Sequence, residues 1–270
     1  MRKRAASYGE HPISARHCSF LALLIAAVFA ATPGFASCRL ALALGLDVSD
    51  SVDATEYRLQ LDGLAAALTQ PDVITAFMAI PQAPVRLFVF EWAGQSSQRR
   101  IIEWRVVESP ADLESIAQTL RERPRFDLSP STGLGAAMLY GGDALVTQSE
   151  CQRHVLDISG DGKSNTGVMP RDLGPTALPG ITVNGLVVGT KGERSGEHWW
   201  TEIVELHAFY VNDVIRGPGA FAMIASSFQN FEEAMARKLL RELQSYAVAK
   251  IDGRSAYLSE RQMYERTSME

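Results

Sequence analysis

The chain has 270 residues, of which 46% are hydrophobic and 21% charged, and a net charge of -5. That is enough apolar matter for a globular core, and it excludes a disordered chain or a small disulfide-dense scaffold. No lysine or arginine run follows the N-terminus, so the electrostatic footprint of a nucleic-acid binder is missing.

Residues 1–36 read as a secretion signal. Arg2, Lys3 and Arg4 give a basic start, Phe20 to Ala31 an apolar stretch, and Gly34 and Ala36 the small residues before a cleavage point. The apolar stretch is shorter than the about 20 residues of a comfortable membrane span. No later stretch is long and apolar enough to span a bilayer. Because residues 1–36 hold four basic and one acidic side chain, the remainder carries a net charge near -8. The expected product is periplasmic or secreted. Phe35-Ala36-Ser37-Cys38 also resembles a lipoprotein cleavage site, with Phe where Leu is usual. Cys18 leaves with the signal, and the two remaining cysteines, Cys38 and Cys151, suggest one disulfide in an exported chain.

After residue 36, strand-like and helix-like segments alternate. Arg39 to Asp47 is a continuous apolar run, as in a strand buried on both faces. Ala54 to Leu68 has leucines and alanines at helical spacing. Pro84 to Trp92 reads as a strand, with Arg100 to Val107 as a neighbouring edge strand. Ser109 and Pro110 open a helix that runs to about Arg121. Gly133 to Val146 is a helix of small residues, His154 to Ser159 a short buried strand and Ile181 to Val188 another strand. His198 to Val211 reads as helical, Ala220 to Ser226 as the last strand, and Asn230 to Ala247 as a closing amphipathic helix. This order predicts one α/β domain over residues 37–250, with a doubly wound, mostly parallel six-stranded sheet, one antiparallel edge strand and helices on both faces. Residues 251–270 form a polar tail.

In such a sheet, ligands bind beyond the carboxyl ends of the strands. After the first strand comes Asp47-Val48-Ser49-Asp50-Ser51, in which alternate oxygen-bearing side chains project to one side of an extended chain. Thr132 stands before the small-residue helix, and Gly160-Asp161-Gly162 follows the strand His154 to Ser159. Each piece has a structural alternative. Ser49 and Ser51 are placed to cap the helix near Ala54, where Asp53 is a better cap still; Thr132 is placed to cap the next helix; and Asp-Gly is by itself a turn. Two carboxylates and three hydroxyls form a hard-oxygen donor set suited to Mg²⁺, Mn²⁺ or Ca²⁺, and no histidine or thiol joins them.

Asp-x-Ser-x-Ser after a first strand, a threonine opening a Gly-Leu-Gly-Ala-Ala-Met helix and an Asp-Gly after a fourth strand resemble the metal-ion-dependent adhesion site of von Willebrand factor type A domains. The resemblance covers about Cys38 to Leu243, and it is nearest to secreted bacterial members. It implies metal coordination by Ser49, Ser51 and Thr132, with Asp47 and Asp161 ligating directly or through water. It also implies that the first and fourth strands are parallel neighbours, which brings Cys38 and Cys151 together. The implied function is protein binding, with the ion accepting an Asp or Glu carboxylate of a partner. The alternative is a metal-dependent hydrolase acting on phosphoesters, for which Asp50 is the only spare carboxylate in the first motif. Gly162-Lys163-Ser164 mimics the end of a phosphate-binding loop, but Asp157 stands where that loop needs glycine.

Overall fold

A computed structural model of the chain describes residues 38–126, 129–189 and 197–244, with 197 and 198 described by their backbone alone. The expected signal over 1–36 and the polar tail over 251–270 lie outside these residues. The described residues form a six-stranded sheet. In chain order the strands are β1 (Leu40–Asp47), β2 (Val85–Trp92), β3 (Gln98–Val107), β4 (His154–Gly160), β5 (Ile181–Val188) and β6 (Ala222–Ala225). Their spatial order is β3-β2-β1-β4-β5-β6. All pairs are parallel except β2 with β3, which is the antiparallel edge.

The helices are α1 (Ala54–Leu68), α2 (Pro71–Met78), α3 (Pro110–Glu122), α4 (Leu134–Val146), α5 (Glu197–Phe209) and α6 over 231–244. Alternation along β1 separates two cores, because successive side chains of a strand point to opposite faces. Leu40, Leu42, Leu44 and Leu46 pack with α1, α2, α3 and α6. Ala41 and Ala43 pack on the other face with Leu134, Ala137 and Met138 of α4 and with Ile203 and Leu206 of α5. The sheet is therefore covered on both sides, as the near-continuous apolar strands predict. Among the described residues, no helix is long and apolar enough to cross a membrane.

Four differences from the sequence reading have physical causes. The helix α2 lacks a side-chain cap and is only eight residues long, too short for its periodicity to stand out. The last strand contracts from Ala220–Ser226 to Ala222–Ala225 because Gly217 and Gly219, both at positive φ, hold a turn ahead of it. The segment expected as one helix to Val211 ends at Phe209 and widens into a π-turn over Tyr210–Val214. Finally, Gly133, not Thr132, occupies the N-cap of α4, whereas Asp53, the better cap in the sequence, does cap α1 by accepting from the Thr55 and Glu56 amides. With these two caps the helix-capping alternatives for Ser49, Ser51 and Thr132 fall away.

The register of β1 on β4 pairs Ala41 with His154, and three residues earlier Cys38 meets Cys151 in an isolated bridge. The two cysteines form a disulfide with a Cα–Cα distance of 4.4 Å. A thioether on Cys38 would need the same sulfur, so the lipoprotein alternative conflicts with this bond. Thiol titration of the denatured, unreduced protein recovered from the periplasm, without residues 1–36, should find no free thiol. Two thiols would overturn the pairing.

Candidate metal site

Parallel β1 and β4 end side by side, so the loops that leave them share one edge of the sheet. The first loop is held low. The Val48 amide donates to the Trp92 carbonyl (2.9 Å), and Gln60 Nε2 of α1 donates to the Asp47 carbonyl (3.0 Å). Gln60 also accepts from Ser159 Oγ of β4 at 3.4 Å, tying the ends of both strands to one helix. The Ser49 amide donates back to Asp47 Oδ1 (2.9 Å). A side-chain-to-backbone bond two residues apart curls Asp47-Val48-Ser49 into a turn, so the donors face one another.

Thr132 comes from the opposite side of the edge and is fixed by its backbone. Its amide donates to Asn165 Oδ1 (2.9 Å), and its carbonyl accepts from the Asn165 amide (2.9 Å) and from Ser164 Oγ (3.3 Å). With its backbone clamped in this way, its side chain faces the serines.

All five predicted donors are brought together. Thr132 Oγ1 lies 3.3 Å from Ser49 Oγ, Ser49 Oγ lies 3.2 Å from Ser51 Oγ, and Ser51 Oγ donates to Asp161 Oδ1 at 2.7 Å. Asp47 joins through the Ser49 amide. Asp47, Ser49 and Thr132 are buried, whereas Ser51 is exposed and Asp161 half-buried, so the group opens to solvent on one side. Asp47 Oδ2 and Asp161 Oδ2 are buried and have no hydrogen-bond partner among the described residues. Three linked hydroxyls flanked by two carboxylates, with no cationic side chain among them, fit a hard cation.

The electrostatics agree. Burial, and then the charge of Asp161, pushes the Asp47 carboxyl up to about 8. Burial also pushes Asp161 up to about 6, against the bond from Ser51. Among the described residues, no basic side chain is one of the groups that act on either carboxyl. Positive charge placed between them would favour ionisation of both. Among the described residues, no group of three or more His, Cys, Asp or Glu side chains gathers, so two carboxylates and three hydroxyls remain the candidate set.

Gln60, Ser164 and Asn165 support the donors and were missed from the sequence. Their partners lie 13 to 99 residues away, and no local spacing announces them.

A family model described as "Protein of unknown function (DUF1194)" matches residues 37–247. No curated protein matches the sequence. Among solved structures, proximal thread matrix protein 1 from the mussel byssus is 14% identical with a TM-score of 0.52, over 78% of this chain and 48% of that one. A further structure of it, described as having a zinc-occupied MIDAS motif, gives the same values. The pilus adhesin SpaC from Lactobacillus rhamnosus GG is 12% identical with a TM-score of 0.53, over 76% of this chain and 31% of that one. The chain thus spans less than half the length of these proteins. The likeness shows the fold, an α/β domain of the von Willebrand factor type A kind.

Proposed function

We propose that this chain, which belongs to the DUF1194 family, is an exported binding module that holds a divalent cation on Asp47, Ser49, Ser51, Thr132 and Asp161 and takes a carboxylate of a partner protein as a further ligand. The observation that carries this reading is the linked set of five donors from three loops, with the second oxygen of Asp161 buried and orphaned beside it. An ion held there supplies electrophilicity: two formal negative charges roughly neutralise it, and the three hydroxyls add none, so attraction for an outside carboxylate persists.

The surroundings support binding. A cleft of about 220 Å³ opens beside Asp161, lined by Lys163, Trp199, Ile203 and Leu206. It is smaller than the roughly 300–1,000 Å³ typical of small-molecule pockets and suits a single side chain of a partner. Trp200, 52% exposed, stands next to it in the chain. A zinc-occupied MIDAS motif and an adhesin among the structural neighbours point the same way at the level of fold. The disulfide between Cys38 and Cys151 supports an oxidising compartment, and with it the reading of residues 1–36 as an export signal. Catalysis finds less support. Asp50 is exposed, and the described histidines 154 and 207 pair with the Gln148 and Ala222 carbonyls, away from the donors.

The test is capture of partners from a periplasmic extract by the wild-type chain with divalent cation, by the same chain in EDTA, and by Asp161→Ala. Specific partners should be retained in the first case alone. The same partners in all three would overturn metal-mediated contact. Because the donor set is all oxygen and a neighbour is described with zinc, Mg²⁺, Mn²⁺, Ca²⁺ and Zn²⁺ are each supplied.

A further inference from the structure

A second polar layer lies behind the five donors. The π-turn at the end of α5 carries Tyr210, whose side chain is fully buried. Single π-turns inside or at the end of α-helices recur at functional sites, because the extra residue re-aims the side chains around it. Two glycines make the seat for this one. A Cβ on Gly185 of β5 would meet Tyr210 Cδ1 at 2.5 Å, and a Cβ on Gly160 of β4 would meet the Tyr210 hydroxyl oxygen at 2.7 Å.

The spot above Gly160 is where the site converges. The same Cβ position lies 3.0 Å from Asp47 Oδ2 and 3.3 Å from Trp92 Cζ2, which is two bonds from the indole nitrogen. The Tyr210 hydroxyl, Trp92 Nε1 and Asp47 Oδ2 are all buried, and none has a hydrogen-bond partner among the described residues. Two donors and one acceptor of this kind seldom share a spot by accident, since each buried unpaired group is destabilising by about 1–3 kcal/mol. Phenylalanine would fill the ring seat without that penalty, so packing alone does not account for the hydroxyl.

We propose that Tyr210 is a positioning residue of the metal site: its hydroxyl donates to a water above Gly160, and that water donates to Asp47 Oδ2. Trp92 Nε1 supplies the second donor to the water, which gives it the two to four polar partners a buried water needs. Asp47 is then gripped from both sides, by the Ser49 amide on Oδ1 and by the Tyr210 relay on Oδ2. A carboxylate held in this way keeps one orientation toward the cation. Outer partners of this sort set ligand geometry and affinity in metal sites generally.

This inference rests on the metal-binding reading, and calorimetry separates the two. Mg²⁺ and Mn²⁺ are titrated into the full-length wild type, Tyr210→Phe and Gly160→Ala, and each protein is also melted in EDTA. Tyr210→Phe should melt in EDTA no lower than the wild type, yet bind the ion about 10- to 100-fold more weakly. Gly160→Ala keeps the tyrosine but puts a methyl group on the spot, and should weaken binding likewise. A merely structural tyrosine would lower the EDTA melt and leave affinity alone. Wild-type affinity in either folded variant overturns the positioning role. An inert wild type overturns the metal site itself.

Discussion

Mg²⁺ at a hundredfold excess over its dissociation constant should raise the melting temperature of the metal-free wild type by about 5–10 °C, and leave Asp161→Ala unmoved. Binding to the folded state alone stabilises by about 2.7 kcal/mol at that excess, and a domain of this size gains roughly 2–4 °C per kcal/mol. Asp161 is the side chain to remove because it carries the half-exposed carboxylate, with Oδ2 orphaned and Oδ1 already holding Ser51. Its loss takes away one of only two formal charges that attract the ion. The variant should also melt in EDTA no lower than the wild type, because the charge of Asp161 is one of the causes that push Asp47 up to about 8. The two effects together separate a lost ligand from a damaged fold. A wild type that melts alike with EDTA and with each of the four ions would sink the site.

Four of the five donors were legible because they lie at or just beyond a strand end, and strand ends are marked by apolar runs that stop; Thr132 was legible instead from the small-residue helix it precedes. Asp47 ends β1 and Asp161 follows β4 directly, and parallel pairing then sets them side by side. The cysteines were legible for the same reason, since both precede strands that share a register. What stayed hidden depends on rotation about a helix or on contacts between distant segments. The His198–Val211 stretch reads as one continuous helix, and nothing in its spacing announces the π-turn that points Tyr210 inward. Gly160 looks like part of a turn, although its role is to leave room for a phenol and a carboxylate. Asp157 stands inside an otherwise apolar strand, and Lys238 and Glu242 have the spacing of an exposed ion pair on a helix. All three are buried together.

That buried group gives the second large effect. Lys238→Met should destabilise the fold by about 3–5 kcal/mol at pH 8, the range expected when one partner is removed from a buried ionic group. Lys238 Nζ lies 2.7 Å from Asp157 Oδ2 and 2.7 Å from Glu242 Oε1, all at 1% exposure or less. Asn184 Nδ2 donates to the same Glu242 oxygen at 2.8 Å and, through Oδ1, accepts from the Phe221 amide at 3.1 Å, so the group ties α6 to β4 and β5. Methionine fills the space of the lysine stem but leaves two carboxylates facing each other in the core. Even beside the lysine, burial pushes Asp157 up to about 7, with Glu242 adding to the rise. A carboxyl whose pKa is raised on folding binds protons more tightly in the folded state. Its destabilising effect is therefore absent below the unfolded value near 3.8 and grows as pH rises toward the folded value. Removing the lysine takes away the cause that lowers Asp157, so the folded value rises further and the window widens upward. Urea melts should accordingly show a smaller deficit at pH 5 than at pH 8. A deficit that is the same at both, or under about 1 kcal/mol at pH 8, would mean that the two carboxylates find another partner once the lysine is gone. The closing helix would then be held to the sheet by its apolar face alone.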